Sequence, residues 1–480
     1  MPTHPPSTEQ EPKSKVQGLK SKVQALRSAF QRHYRAQVAD KGFFEILHGT
    51  AWAMASRAGT TVLALISSLM ITRLYGAESM GILALVTSIL SIVTVFTVLG
   101  TNTAILRLIP EHLTKYSPSS AFKVYRKTQY LVAGVSVITG LILYFLSGRI
   151  AGGVFNKPHL SGLVSMTAAF IIFKSIMLLN QQAVRGLKLI RIYSLLQLLP
   201  SLAFLGLLIL GLFWKTHITP AYAQMLAWAL TGITGAIIMD RVFRHRMSLD
   251  DTIHPMPVRS ILGVSSPMLM TASMQIIVSQ AGIIILGMYR PAVEIGYYAV
   301  AVKLATLTTF VLSAINTMSA PKFAELYHQG RIDELLRIAR KSTRLIFWTT
   351  IPILIGLLVF GITILQIFRH EFISAYPAMC ILIAGQFINS ISGSTGYFMS
   401  MTGHHIALQN FKAIATVISI VMAIILIPRI GINGAAVAAS AGAAFWNLAG
   451  LLFIKRQFGV GIGYDPRIEF SRRSNKKVRV

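Results

Sequence analysis

Residues 81–106 read GILALVTSILSIVTVFTVLGTNTAIL, a run that carries no charged side chain. About 20 apolar residues cross the hydrocarbon core of a bilayer as a helix. A chain inside lipid must satisfy its backbone hydrogen bonds internally, which leaves the helix as the natural form for such a run. Comparable stretches recur along the whole chain, at 50–73, 128–147, 160–183, 192–213, 219–239, 261–288, 295–320, 345–368, 375–402, 413–427 and 433–454. The sequence therefore predicts an all-α polytopic membrane protein of about twelve transmembrane helices. Composition agrees: 54% of the residues are hydrophobic and 13% are charged, about half the charge of an ordinary soluble chain. The single cysteine, Cys380, lies in an apolar segment, so no intrachain disulfide forms, and it reads as a small core residue.

Lysine and arginine set the orientation, because cytoplasmic flanks carry an excess of them. With the N-terminus inside, the outer loops hold only Arg73, Arg149, Lys157, Lys215, Arg290, Arg369 and Arg429. Three more basic residues lie in spans, and the other 35 of the 45 face the cytoplasm. Both termini are expected there. This asymmetry accounts for most of the net charge of +29, and anionic membrane lipids are its expected partner. No nucleic-acid motif claims it. The first 48 residues contain no apolar h-region before a cleavage site, so no cleaved signal peptide is expected. The outer loops are short; the longest, at 148–159, leaves no room for an outer catalytic domain.

The two halves echo each other. Gly81 matches Gly296, Pro110 matches Pro321, Arg126-Lys127 matches Arg340-Lys341, and Gly186 matches Gly403. Each half holds six spans, so the repeats are parallel, and sites in such proteins lie between the halves. The expected units are a basic amphipathic arm at 1–48, six-helix bundles at 49–245 and 261–456, a cytoplasmic linker at 246–260 and a basic tail at 457–480. The arm holds two near-identical heptads, Ser14–Lys20 and Ser21–Arg27. Its apolar stripe of Val16, Leu19, Val23, Leu26 and Phe30 suits a helix lying on the inner leaflet.

None of the sixteen acidic residues falls inside a predicted span, whereas Arg57, Lys174 and Lys303 do. An intramembrane charge is costly, about 2.5–3.5 kcal/mol on insertion scales, and normally faces a cavity or a partner. A cationic interior without carboxylates suits an anionic ligand. Arg57 lies roughly 10 Å into span 1 at 1.5 Å per residue. Thr60, Thr61, Ala64, Ser67 and Ser68 are expected on its face. Snorkelling to the near interface is the competing reading. Lys174, with Thr167 and Gln181 on its face, sits mid-span. Lys303 lies nearer the outside, with Thr306, Ser313 and Thr317 on its side. Gln275, Gln280, Asn316, Gln386, Asn389 and Tyr397 are candidates for hydroxyl-rich ligands, against a role as interhelical glue. His404 and His405 are too few for a metal site, and no metal or cofactor is expected.

The marks Arg73, Gly76, Glu78 and Gly81, their echo Glu294, Gly296 and Tyr297, and the Pro321–Glu325 segment running to Gly330 give the chain a family likeness over about 45–460. It resembles the multidrug/oligosaccharidyl-lipid/polysaccharide exporter superfamily, and within it the bacterial flippases of O-antigen, capsule or exopolysaccharide assembly. The resemblance implies two six-helix bundles packed as a V around a central cavity. It also implies outward transfer of an undecaprenyl-diphosphate-linked oligosaccharide across the cytoplasmic membrane by alternating access, with a polysaccharide polymerase and glycosyltransferases as candidate partners. Substrate contacts are expected at Arg57, Lys174, Lys303, Thr61, Gln181, Gln275 and Asn389. The alternatives are a lipid II flippase, a cation-coupled drug exporter, a membrane glycan polymerase or ligase, and a scaffold for glycan machinery. The exporter needs a membrane carboxylate, and the polymerase or ligase needs acid–base residues on a sizeable outer loop.

Overall fold

A computed structural model describes residues 41–213, 219–245, 247 and 256–464. The heptads of the arm, most of the linker and the tail beyond Tyr464 lie outside the described residues. Among these the regular elements are all helical. The first half comprises α1 (Lys41–Val98), α2 (Thr101–Lys115), α3 (Pro118–Arg149), α4 (Ser161–Gly186), α5 (Ile190–Phe213) and α6 (Pro220–Arg244). The second comprises α7 (Val258–Tyr289), α8 (Ala292–Ala305), α9 (Thr308–His328), α10 (Ile332–Val359), α11 (Gly361–Phe368), α12 (Tyr376–Ser392), α13 (Thr395–Met401) and α14 (His405–Phe458).

Among the described residues, ten helical runs are long and apolar enough to cross a membrane. Two are too long for one crossing: Ala51–Val98 has 48 residues and His405–Phe458 has 54, against the 20 or so that a bilayer needs. Each is broken at a glycine of positive φ, Gly76 at 81° and Gly431 at 56°, a conformation that glycine adopts without a side-chain penalty. Counting each as two crossings gives the twelve predicted from hydropathy. The loops expected around 74–80 and 428–432 are thus kinks within helices.

Hydropathy also hid the length of several helices. The inner stretch between spans 8 and 9 is helical almost throughout: α9 runs past Pro321 to His328, and α10 starts at Ile332. Leu335, Leu336 and Ala339 bury against Phe323, Leu326 and Phe398, while Arg331, Arg337 and Lys341 stay exposed. Hydropathy marks where the bilayer ends, whereas amphipathic spacing carries a helix beyond it. Within the bilayer, span 8 is divided between α8 and α9, and span 10 between α12 and α13 at Gly393.

Helix α3 packs on α4, α4 on α2 and α6, and α5 on α6. In the second half α12 packs on α14, α9 on α10, and α14 on α7. One core joins Ile71, Met80, Leu85 and Phe155 of the first half to Leu286, Ile295, Phe368 and Phe372 of the second. All lie toward the ends assigned to the outside by charge. At the inner ends the cores differ. One holds Ile105, Tyr125, Leu179 and Phe243 with Ile261 from the start of α7; another holds Phe323, Leu335, Phe398 and Leu408. The exposed side chains of α3, among them Val137, Ile138, Leu141 and Phe145, form an apolar flank that belongs in lipid.

Candidate functional site

One face of α1 carries Arg57, Thr61, Ala64 and Ser68, spaced four, three and four residues apart as helical geometry requires. Arg57 is exposed at one end. Thr61 donates to Arg57 O at 2.9 Å, and Ser68 donates to Ala64 O at 2.6 Å. Ser68 is buried, and its hydroxyl oxygen accepts a hydrogen bond from Lys303 Nζ of α8. The same face therefore begins at one cation and ends beneath another that the second half supplies. Eleven residues separate Arg57 from Ser68, a rise of about 16 Å. Neither Arg57 nor Lys303 takes part in an ion pair among the described residues. Thr60, expected on this face, turns to α5 instead: it donates to Ser56 O at 2.9 Å and to Gln197 O at 3.5 Å.

Lys174 has a different setting. It is 8% exposed, donates to Ser91 Oγ at 3.0 Å, and stands 4.3 Å from the centre of the Trp228 ring. Gln181 Nε2 donates to Leu196 O at 2.9 Å and so ties α4 to α5. The partners of both lie within the first half.

The second half encloses a cavity of about 510 Å³. Gln275 of α7, Asn316 of α9, Asn389 of α12, Tyr397 of α13, and Lys412 and Trp446 of α14 contribute to its wall. Asn389 donates weakly to Gln386 Oε1 at 3.4 Å and accepts from Asn447 Nδ2 at 3.3 Å. A smaller cavity of about 230 Å³ shares Val278, Ala439 and Ala443 with the first. Two of the expected site residues, Gln275 and Asn389, meet here. Lys412 and Trp446 were not among those expected. By sequence Lys412 directly precedes the apolar run at 413–427 and counts among the inner basic residues, but α14 begins at His405 and places it two turns inside a helix. Trp446 lies in an apolar run and gives no hydropathy signal. His404 rests against Phe453 and Phe458 and bonds Thr402 Oγ1 at 3.1 Å.

Several carboxylates lie toward helix ends and are paired there. Arg126 and Arg244 hold Asp240 in the last turn of α6, the second at 2.8 Å. Glu294 faces Arg290 at 3.9 Å, and Lys322 binds Glu325 at 2.7 Å. At the ends assigned to the outside by charge, cations hold backbone carbonyls. Arg73 Nε donates to Ile367 O at 2.7 Å. Lys157 Nζ donates to Gly287 O at 2.6 Å and Arg290 O at 3.0 Å, and burial lowers its pKa from the ordinary lysine value. Arg290 donates in turn to Pro428 O at 2.9 Å.

Three solved structures place this architecture. A multidrug resistance MATE family transporter of the MOP superfamily, in an inward-facing conformation, superposes with a TM-score of 0.68 at 14% identity, covering 83% of this chain and 94% of its own. The lipid II flippase MurJ, in an inward closed conformation, gives 0.67 at 13% identity, covering 84% and 88%. A MOP superfamily transporter from Pyrococcus furiosus gives 0.61 at 13% identity, covering 86% and 95%. The fold is that of the MOP superfamily transporters. No curated protein matches the chain in sequence. The family model of polysaccharide biosynthesis proteins matches residues 46–327. That match takes in more than half of the chain, which belongs to the polysaccharide biosynthesis protein family.

Proposed function

We propose that the protein flips an undecaprenyl-diphosphate-linked oligosaccharide from the cytoplasmic to the outer leaflet of the bacterial cytoplasmic membrane, for surface polysaccharide synthesis. The observation that carries this reading is the polar face of α1, with Arg57 at its inner end and Lys303 over Ser68 further out. Two cations without carboxylate partners, about three helical turns apart, make a track for an anionic headgroup. The planar fork of Arg57 suits a diphosphate, since it offers two parallel charge-assisted hydrogen bonds. Thr61 adds a hydroxyl between the cations. Family membership supports polysaccharide chemistry, and the fold supports transport.

The way the halves share their cores supports alternating access. The bundles at 49–245 and 261–456 act as the moving bodies. Their outer ends share one apolar core, while the inner ends keep separate cores, the first half's taking in Ile261 from the start of α7. The headgroup enters from the cytoplasmic side, with both termini inside, and leaves once the outer core parts. Gln275 and Asn389 contact the glycan. A polymerase and glycosyltransferases act on either side of this step.

Purified protein in vesicles tests the reading. Undecaprenyl-diphosphate oligosaccharide placed in the inner leaflet should become oxidisable by external periodate at a protein-dependent rate. Failure to move this glycolipid, with transport of a cationic drug in its place, would overturn the proposal.

A further inference from the structure

The duplicated halves differ at one equivalent place. In the first half, Lys174 stands 4.3 Å from the Trp228 ring and bonds Ser91, with both Lys174 and Trp228 buried. The tryptophan at the matching place of the second half is Trp446, 218 positions after Trp228, close to the offset of 217 between Gly186 and Gly403. By that offset of 217, Gly186 being on the same helix as Lys174, the position matching Lys174 is Ile391, which brings no cation. Where the first half fills the space before its tryptophan with a lysine, the second half has the cavity of about 510 Å³. A different lysine, Lys412 at the start of α14, reaches to 5.5 Å from the Trp446 ring.

The wall of this cavity is chemically mixed. Trp446 offers an indole face, and Gln275 and Asn389 offer amides that both donate and accept. Asn316 is 1% exposed, and its Oδ1 has no hydrogen-bond partner among the described residues. A buried amide oxygen without a partner is unfavourable, and a ligand hydroxyl would supply the donor it lacks. The volume lies within the range of about 300–1,000 Å³ that small-molecule sites occupy.

We propose that this cavity is a binding site for one sugar ring of the transported glycan, separate from the headgroup track on α1. A pyranose has C–H faces that lie against an aromatic ring and a rim of hydroxyls that pair with amides. Lys412 donates to a rim oxygen. A diphosphate fits poorly, because the cavity presents one lysine already drawn to an indole and no arginine fork. An acyl chain fits poorly, because it would leave the Asn316 oxygen unpaired and cover the Gln275 amide. The cavity lies toward the ends of α9, α12 and α14 assigned to the cytoplasm, where the glycan enters. The proposal rests on the flippase reading for the identity of its ligand.

The test uses the full chain in lipid nanodiscs with 5-fluorotryptophan at its tryptophans, the Trp446 fluorine signal being assigned with Trp446→Phe. The probes are octyl glucoside, galactoside, N-acetylglucosaminide and glucuronide, with octyl phosphate and octanol as controls. At least one glycoside should shift the Trp446 signal saturably, and neither control should. Asn389→Lys, which puts a longer cationic side chain into the cavity wall, should abolish the shift. Asn316→Leu should weaken binding tenfold or more, with the Trp228 signal unchanged as the check on folding. An equal shift with octanol or octyl phosphate, no shift with any glycoside, or an unchanged shift in both variants would overturn the site. Glycoside binding without glycolipid transport would instead remove the flippase reading and leave the pocket standing.

Discussion

Gly81 and Gly296, equivalent positions in the two repeats, pack against each other at the outer ends of the halves. A methyl group on Gly81 would lie 1.7 Å from Ala292 O, and one on Gly296 would lie 2.2 Å from Ala77 O. The relationship is reciprocal: Ala77 precedes Gly81 by four residues, as Ala292 precedes Gly296. Each helix presents its small residue to the backbone of the other, which permits close approach. This crossing lies within the core that joins the outer ends, beside Met80, Ile295 and Ala299.

Gly81→Ala and Gly296→Ala should therefore open the outer side. The obstructing atoms are backbone, which cannot swing aside, and overpacking typically costs about 1–3 kcal/mol. Paid only by the outer-closed state, that cost shifts its population by roughly 5- to 150-fold. A cysteine at buried Leu85, in a Cys380→Ser background, should react faster with an external impermeant thiol reagent in either variant. Unchanged reactivity would show that this crossing does not hold the outer side shut.

Lys157→Met should act in the same direction with smaller effect. Its ammonium donates to Gly287 O and Arg290 O at the end of α7, where a cation also meets the negative end of the helix dipole. Loss of these bonds should cost about 1–2 kcal/mol for a half-buried group. The Leu85 cysteine should again report it, and transport should slow by no more than about tenfold. A fully inactive, well-expressed variant would place Lys157 in the substrate path instead.

Arg57→Ala should lower glycolipid transfer by roughly 10- to 100-fold, the loss expected from a charge-assisted contact of about 1.5–3 kcal/mol. Arg57→Lys should recover only part of it, since the fork is lost. Lys303→Met should resemble Arg57→Ala if one headgroup visits both cations. Normal surface glycan at low expression of Arg57→Ala would remove it from the mechanism.

Topology is open to direct measurement. Cysteines at Asn156 and Gln329, both exposed, should label from opposite faces of the membrane, Asn156 from outside. Labelling of both from one face would overturn the assignment of sides by charge.

The reach of the sequence differs from residue to residue, for physical reasons. Hydropathy located the twelve crossings because lipid imposes a length on each. It could not show that Gly76 and Gly431 kink continuous helices, since a kink depends on backbone torsion. The repeat paired Gly81 with Gly296 as equivalents, but their contact is long-range and leaves no local pattern. Arg57 and Lys303 stand out as intramembrane charges, and helical spacing puts Ser68 on the face of Arg57; that Ser68 meets Lys303 follows only from the folding of α8 against α1. Lys412 escaped notice because a lysine at the edge of an apolar run resembles an ordinary inner flank, and its meeting with Trp446 bridges the two arms of α14.

Energy for net outward transfer must come from somewhere, and no carboxylate falls inside a predicted span. Asp240, Glu294 and Glu325 are held by cations at helix ends, while Glu78, beside the kink of α1, has no ion pair among the described residues. A site that binds and releases a driving cation normally needs a free carboxylate inside a span. The proposed headgroup carries about two negative charges, and the cell interior is negative. One charge crossing the field is worth about 2.3 kcal/mol per 100 mV, so outward movement of the diphosphate gains about 4–5 kcal/mol per 100 mV if both charges cross it fully. The emptied track, with Arg57 and Lys303 uncovered, is drawn inward by the same field and resets the carrier. Membrane potential alone should then accelerate transfer. Vesicles holding a potassium–valinomycin potential, without a pH or sodium gradient, should flip glycolipid faster when the entry side is negative and slower when the potential is reversed. The acceleration should shrink in Arg57→Ala. Transfer that ignores the potential and follows a proton or sodium gradient would defeat this account and place a coupling carboxylate among the groups at the helix ends.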